Sequence, residues 1–534
     1  MTLDKTSTIQ DIYRHLQQGQ FVHAETKLLQ LVQTQSAQLQ AWYLLADVSL
    51  KLKKHEQALK AAQKAFELSP VQPQVRILLS HCFLLNGEFT QASNHAINLF
   101  NENPKLLAKD WFQLGICLYQ VNQYKNALTC FKHAVELEPD NALYQYNLAT
   151  SYRNNGDKKQ AARHLNLAIK LDPINYDAQL SRSLLSKATE QKQNITTLKE
   201  ALKNSNLSIT GKIKLNFALA KEYEDLEQYN DNYQHLTSAN QLRAEQSNYH
   251  VEKDVESLER IIEVFSNAIP DWRQKQKETS QDYSNVTPVF ITGLPRTGST
   301  LLEQIIQQHK TVGSAGELHH FGNCLSKEIN VLKVQPKNKN EFIKCCAELD
   351  MREVGLRYLS ELQPFIANNK LIIDKLPLNF LYTGLIQRAL PLAKVIHMTR
   401  SPMATAYAIY KTYFEQAYPF SYRLVDIGHY YVAYRKLMAH WLEQNSHNLL
   451  FVNYEALVTN PESTCKPVFD FLGLGFDTDY IQLNNNRAVS ATASSAQVRD
   501  GIYTSSVQSW KHYKEQLSEF KDILLKAGIS PEQW

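Results

Sequence analysis

Small and apolar residues recur with a long period through the first third of the chain. Alanines stand at Ala24, Ala58, Ala92, Ala127 and Ala161, and seven positions after each comes Leu31, Ala65, Leu99, Ala134 or Ala168. Five positions before each alanine is a turn position: Gly19, Lys53, Gly87, Asn122 or Gly156. Twelve positions after it is Pro70, Pro104, Pro139 or Pro173, with Ser36 in the first unit. Two helices that pack closely need small residues where their backbones meet, a turn residue between them, and a proline to stop the second. A single helix pair cannot bury its apolar face, so such pairs stack. From about 186 to 275 the pattern stays helical, with a degenerate pair over 217–243 and an amphipathic helix over 251–269. A polar stretch at 275–288 then marks a boundary. Beyond it, short apolar runs at 288–292, 371–374, 394–398 and 449–454 alternate with helical patterns. That alternation predicts a parallel sheet covered on both faces, with ligands at the carboxyl ends of its strands.

The first register, over residues 4–185, resembles the tetratricopeptide repeat (TPR). The resemblance implies an all-α superhelix over 1–185, whose curved surface takes a peptide or partner protein. The further helical region runs over 186–275 and an α/β domain over 286–534. Composition narrows the partners. Lys plus Arg total 57 and Asp plus Glu 53, a net charge of +4 that points to neither nucleic acid nor a membrane surface. No apolar run approaches the ~18–20 residues of a membrane span. The first residues lack a basic stretch followed by an apolar core, so no secretory leader is expected. Seven scattered cysteines without CxxC spacing argue against a disulfide framework or structural zinc and fit a reducing, cytoplasmic setting. No metal cluster is expected either.

The chemistry concentrates after the first strand. Gly293-Leu294-Pro295-Arg296-Thr297-Gly298-Ser299-Thr300 opens a helix and has the GxxxxGx[ST] outline of a P-loop, whose backbone N–H groups and helix dipole favour an anion. A nucleotide triphosphatase loop needs lysine before its final Ser/Thr. Ser299 stands there instead, and the basic residue comes earlier, at Arg296. PRTGST after a strand resembles the 5′-phosphosulfate loop of the sulfotransferases, which use 3′-phosphoadenosine 5′-phosphosulfate (PAPS). The resemblance extends over 286–515 and is nearest to the tyrosylprotein sulfotransferase branch.

That resemblance implies roles residue by residue. Arg296, Thr297, Gly298, Ser299 and Thr300 would hold the 5′-phosphosulfate. Glu317, in GSAGELHHF, would take the acceptor proton, with His319 and His320 as alternative bases. Lys375, in IIDKLPLNF, would stabilise charge on the oxygen between sulfur and phosphate. Arg400, at the end of KVIHMTR, would hold the 3′-phosphate. There the family has a serine eight residues on and an acid or arginine at the third and fourth positions, where this chain has Ala408, Met403 and Ala404. Tyr454 matches a cofactor-contacting tyrosine. Ser494, Gln497, Val498 and Arg499 align with the family's C-terminal loop, Ser494 falling where a serine stabilises the sulfuryl group. Gly501 replaces its usual proline, and Ser509 precedes Trp510 where a basic residue is expected, with Lys511 one place later.

The expectation is a PAPS-dependent sulfotransferase acting on a hydroxyl of a protein or peptide, tyrosine included, presented with help from the array. A small-molecule, lipid or glycan hydroxyl stays open as acceptor, and so does a dimer. Two other classes stay open as well. One is a TPR scaffold with a non-catalytic sulfotransferase-like domain, favoured by Ala408 and Ser509. The other is a P-loop kinase, disfavoured by Ser299.

Overall fold

The turn positions of the repeat register all take the left-handed backbone their place demands. Gly19, Lys53, Gly87, Asn122 and Gly156 have φ between 59° and 91°, so even the lysine and asparagine accept the ~1–2 kcal/mol that an L-residue pays there. The five alanines of the register are completely buried. Helices Phe21–Thr34, His55–Leu68, Phe89–Asn101, Tyr124–Leu137 and Lys158–Leu171 each carry one of them. The last four of these helices stop two or three residues before Pro70, Pro104, Pro139 and Pro173. These features are drawn from a computed structural model that describes residues 5–534, except 192, 267–285, 367, 445–447 and 484–500.

The chain forms two compact units, Met1–Ser151 and Tyr152–Trp534. The first holds the helix pairs joined by the turns at Gly19, Lys53, Gly87 and Asn122. The second begins with helices Lys158–Leu171, Tyr176–Leu184 and Ile195–Leu202. It continues through a long hairpin, Ile209–Asp225 and Tyr229–Glu245, and then Val251–Ser266. The hairpin turns at Glu227 with φ 61°, the same left-handed device as in the repeats.

A five-stranded sheet follows. Its strands are β1 (Thr287–Gly293), β2 (Val312–Gly316), β3 (Leu371–Asp374), β4 (Lys394–Thr399) and β5 (Leu449–Asn453). All neighbours pair in parallel, in the order β2-β3-β1-β4-β5. Four strands fall where the apolar runs predict them. β2 is an addition: VGSAG is short and built of small residues, so it lacks the apolar run that marks the others. The two faces of the sheet bury separate sets of side chains, as the two-residue strand period requires. Phe290, Ile372 and Val395 face one layer. Val289, Ile291, Ile373, Ile396 and Met398 face the other, against Leu301, Leu302, Ile305 and Phe469. The first layer is continuous with Phe217, Leu258 and Phe265 of the preceding helices. No described helix is long and apolar enough to cross a membrane.

Candidate active site

The strand order sets the site. β1 lies between β3 and β4, so the segments leaving these three strands emerge side by side, at the switch point where open parallel sheets bind ligands. They carry the Gly293–Thr300 loop, Lys375 and Arg400.

The loop runs from Gly293 to helix Ser299–Ile306, capped by Gly298. Arg296 has φ 67°, a strained value for a residue with a side chain. The Thr297 hydroxyl donates to the Leu294 carbonyl at 2.7 Å and closes the turn. Thr297, Ser299 and Thr300 are buried. Gly298 has φ 93°, and a Cβ there would lie 2.3 Å from Tyr454 Cδ2. Glycine is therefore what lets the Tyr454 ring lie on the loop. Gly298→Ala is expected to destabilise the protein by about 2–5 kcal/mol, from left-handed strain plus overpacking. Thermal unfolding of the variant checks this.

Tyr454 also lies against Arg400, whose guanidinium is 4.6 Å from the ring centroid. Asn453 caps the short helix that Tyr454 starts, accepting from Ala456 N at 2.8 Å. The Tyr454 hydroxyl bonds Ser506 Oγ at 2.7 Å. Arg400, buried, donates to the Arg296 carbonyl at 2.8 Å and to the Ser506 carbonyl at 2.7 Å. Its Nε has no acceptor among the described residues. Burial lowers the pKa of both Arg296 and Arg400, and for Arg296 the nearby Arg400 charge adds to the effect. The buried Arg400 guanidinium, with an unmet N–H and the partly buried Arg296 on the adjoining loop, offers positive charge suited to an anion.

On the other side of the loop, Lys375 is 1% exposed, so its ammonium is fully enclosed. Its Nζ donates to Glu317 Oε1, and its backbone N–H donates to the Gly316 carbonyl at 2.8 Å. Glu317 follows β2 at a bulge between Ser314 and Gly316, and its side chain is 41% exposed. The buried lysine and the open carboxylate thus share one hydrogen bond. Behind them, Asp374 accepts from Tyr358 OH at 2.8 Å and Asn379 Nδ2 at 3.2 Å. Burial pushes it up to about 8, against these bonds and the Lys375 charge.

The alternative base, His320, is buried, and burial lowers it to about 4. That makes it a far weaker proton acceptor near neutrality than an ordinary histidine.

Some candidates fall elsewhere. Ser494, Gln497, Val498 and Arg499 lie outside the described residues. Lys511 is exposed and donates to Gln508 Oε1 at 3.3 Å. Gly501 takes φ 91°, which a proline cannot adopt, so the loss of the proline goes with a different backbone. Ala408 is buried in helix Pro402–Tyr410.

Other site residues are not legible from motif positions. Glu303 is buried, accepts from Ser314 Oγ at 2.6 Å, and is raised by its burial. In sequence it looks like one polar residue of an amphipathic helix, but every residue of Ser299–Ile306 is buried. Glu455 accepts from Ser401 N at 3.0 Å and braces the segment that follows Arg400.

The site thus joins a strand–loop–helix turn, the buried Arg400, a buried lysine and an accessible carboxylate. Residues 288–478 match the Sulfotransferase family. Residues 39–72, 108–141 and 130–163 match the tetratricopeptide repeat. The chain therefore joins tetratricopeptide repeats to a sulfotransferase-family domain. It is 30% identical over 344 residues to an uncharacterized protein of Aquifex aeolicus (strain VF5), covering 63% of this chain and 44% of that one. It is 27% identical to the tetratricopeptide repeat-containing protein trd-1 of Caenorhabditis elegans, over 31% of this chain and 20% of that protein. The chain thus spans less than half the length of these relatives. Among solved structures, a sulfotransferase domain from the curacin biosynthetic pathway aligns over 46% of this chain and 98% of its own. Its identity is 18% and its TM-score 0.32.

Proposed function

We propose that this protein transfers a sulfuryl group from PAPS to a hydroxyl of a protein or peptide, a tyrosyl hydroxyl included. The observation that carries the reading is the enclosed Lys375 ammonium bonded to the open Glu317 carboxylate, on the strand next to the Gly293–Thr300 loop.

PAPS supplies the sulfuryl group and leaves as adenosine 3′,5′-bisphosphate. Arg296 and the loop N–H groups suit its 5′-phosphosulfate end, and Arg400, with its unmet Nε, suits the 3′-phosphate. Glu317 takes the hydroxyl proton of the acceptor as its oxygen bonds to sulfur. Lys375 offsets the negative charge that grows on the phosphate oxygen as its bond to sulfur breaks. Held by burial, its ammonium needs no reorganisation at that moment, which is where the protein gains most in a loose, in-line transfer. The repeats supply a surface of the kind that binds extended peptides, and this supports a macromolecular acceptor.

Calorimetry with adenosine 3′,5′-bisphosphate, beside ATP with magnesium, tests the donor. The expected result is saturable binding of the bisphosphate at one site per chain. Binding of ATP with magnesium and none of the bisphosphate would overturn the reading.

A further inference from the structure

The candidate base stands at the least supported end of the sheet. Among the described residues β2 is an edge strand that pairs with β3 alone, and its register shifts between Ser314 and Gly316. Glu317 directly follows that irregular end. A strand end held by one neighbour frays unless something else fixes it. A general base must stay within hydrogen-bond reach of the proton it takes.

The Gly316 peptide is pinned from both sides. Its carbonyl accepts from Lys375 N at 2.8 Å. Its N–H donates to Ser314 Oγ at 2.9 Å. The Ser314 hydroxyl has one proton, which it donates to Glu303 Oε1 at 2.6 Å. With the proton so committed, the Ser314 oxygen turns a lone pair to Gly316. The chain Glu303–Ser314–Gly316 therefore runs from helix Ser299–Ile306, which opens at the Gly293–Thr300 loop, to the residue before Glu317.

Stability alone does not favour an acid at this place. Every residue of Ser299–Ile306 is buried, and Glu303 is 4% exposed. Its second oxygen, Oε2, is buried without a partner among the described residues. An unmet polar atom in the interior is destabilising, and an apolar side chain of the same length avoids it. Local rules are broken in this way where a residue serves a site.

We propose that Glu303 is a positioning residue for the Glu317–Lys375 pair, acting through the Ser314 hydroxyl on the Gly316 peptide. The inference rests on the sulfotransferase reading.

Its test uses the full chain, sulfur-labelled PAPS, and the peptide most heavily labelled from a library of tyrosyl and seryl peptides. Glu303→Met breaks the chain of bonds from its buried end, and Ser314→Ala from a half-buried position. Each is expected to lower kcat about tenfold, with the acceptor KM and the Kd for adenosine 3′,5′-bisphosphate within about twofold. Glu303→Met should hold or raise the melting temperature, so that activity falls without a loss of stability. Glu303→Gln, whose amide oxygen still accepts from Ser314, should keep kcat within about twofold of the unaltered chain. Added to Glu317→Gln, Ser314→Ala should cost less than about twofold more, because the group it positions is already gone. Amide exchange at Gly316 should speed about tenfold in Ser314→Ala.

Unchanged kcat in Ser314→Ala overturns the proposal. So does a full tenfold loss on top of Glu317→Gln, a Glu303→Gln chain as slow as Glu303→Met, or loss of bisphosphate binding, since each makes Glu303 a general structural residue. Should Glu303→Met fail to fold, Ser314→Ala decides. Failure of the sulfotransferase reading is distinguishable, because it shows in the unaltered chain as no labelling of any peptide. That outcome overturns the catalytic role, and exchange at Gly316 then decides whether the bonds hold the end of β2.

Discussion

Glu317→Gln is expected to lower kcat for sulfuryl transfer by about 10²–10⁴-fold, the usual contribution of a positioned general base. Affinity for adenosine 3′,5′-bisphosphate should hold within about twofold, since the carboxylate is on the acceptor side and not with the arginines. The substitution preserves shape, and the amide oxygen still accepts from Lys375 Nζ, so the buried ammonium keeps a partner. Single-turnover kinetics with saturating PAPS read the loss directly. Retained turnover would remove Glu317 as base. His320 would then be the next candidate, although its burial and its lowering to about 4 make it a poor one.

Lys375→Met is expected to cost about 10²–10³-fold in kcat, the typical effect of deleting one donor aimed at developing charge. The position is 1% exposed, so methionine fills the volume and removes the cost of enclosing a charge. The folded state should therefore keep its melting temperature or gain slightly. Glu317 loses its partner but is open enough to be hydrated. Because the bisphosphate lacks the sulfuryl group, its binding should change much less than turnover does. That difference separates charge stabilisation from simple binding. The double variant with Glu317→Gln should be scarcely worse than either single one, since the two groups act as a unit. A multiplicative loss in the double variant would show that they act independently.

The parts of this fold that repeat, or that sit at strand ends, are legible in the sequence. The alanine register finds the helix pairs because close helix packing admits few alternatives to a small side chain. Lys375 and Arg400 are singled out because the resemblance puts roles at the ends of apolar runs, and the loop because its glycines have P-loop spacing after a strand. β2 escapes such a reading, since five small residues carry no apolar signature. Glu303 escapes because an acid on a helix looks solvated until both faces of the helix are covered. Arg243 escapes for a deeper reason: it meets the Glu415 carbonyl across 172 residues of sequence, and a main-chain acceptor leaves no trace in residue spacing.

The sheet order also has a consequence for how the chain reaches its folded form. Each helix pair of the array closes on neighbours about one repeat away. Central strand β1 instead pairs first with residues 84 positions further on and then with residues 105 positions further on (Thr287 with Leu371, Val289 with Lys394). Contacts that distant are slow to form, because long loops must close before pairing rewards them. During synthesis the repeats can settle while β1, with its aliphatic run, waits unpaired for its partners to leave the ribosome. The sheet-bearing part is therefore the part of the chain most exposed to misassociation, and the part whose yield should respond most to slower translation or added chaperone.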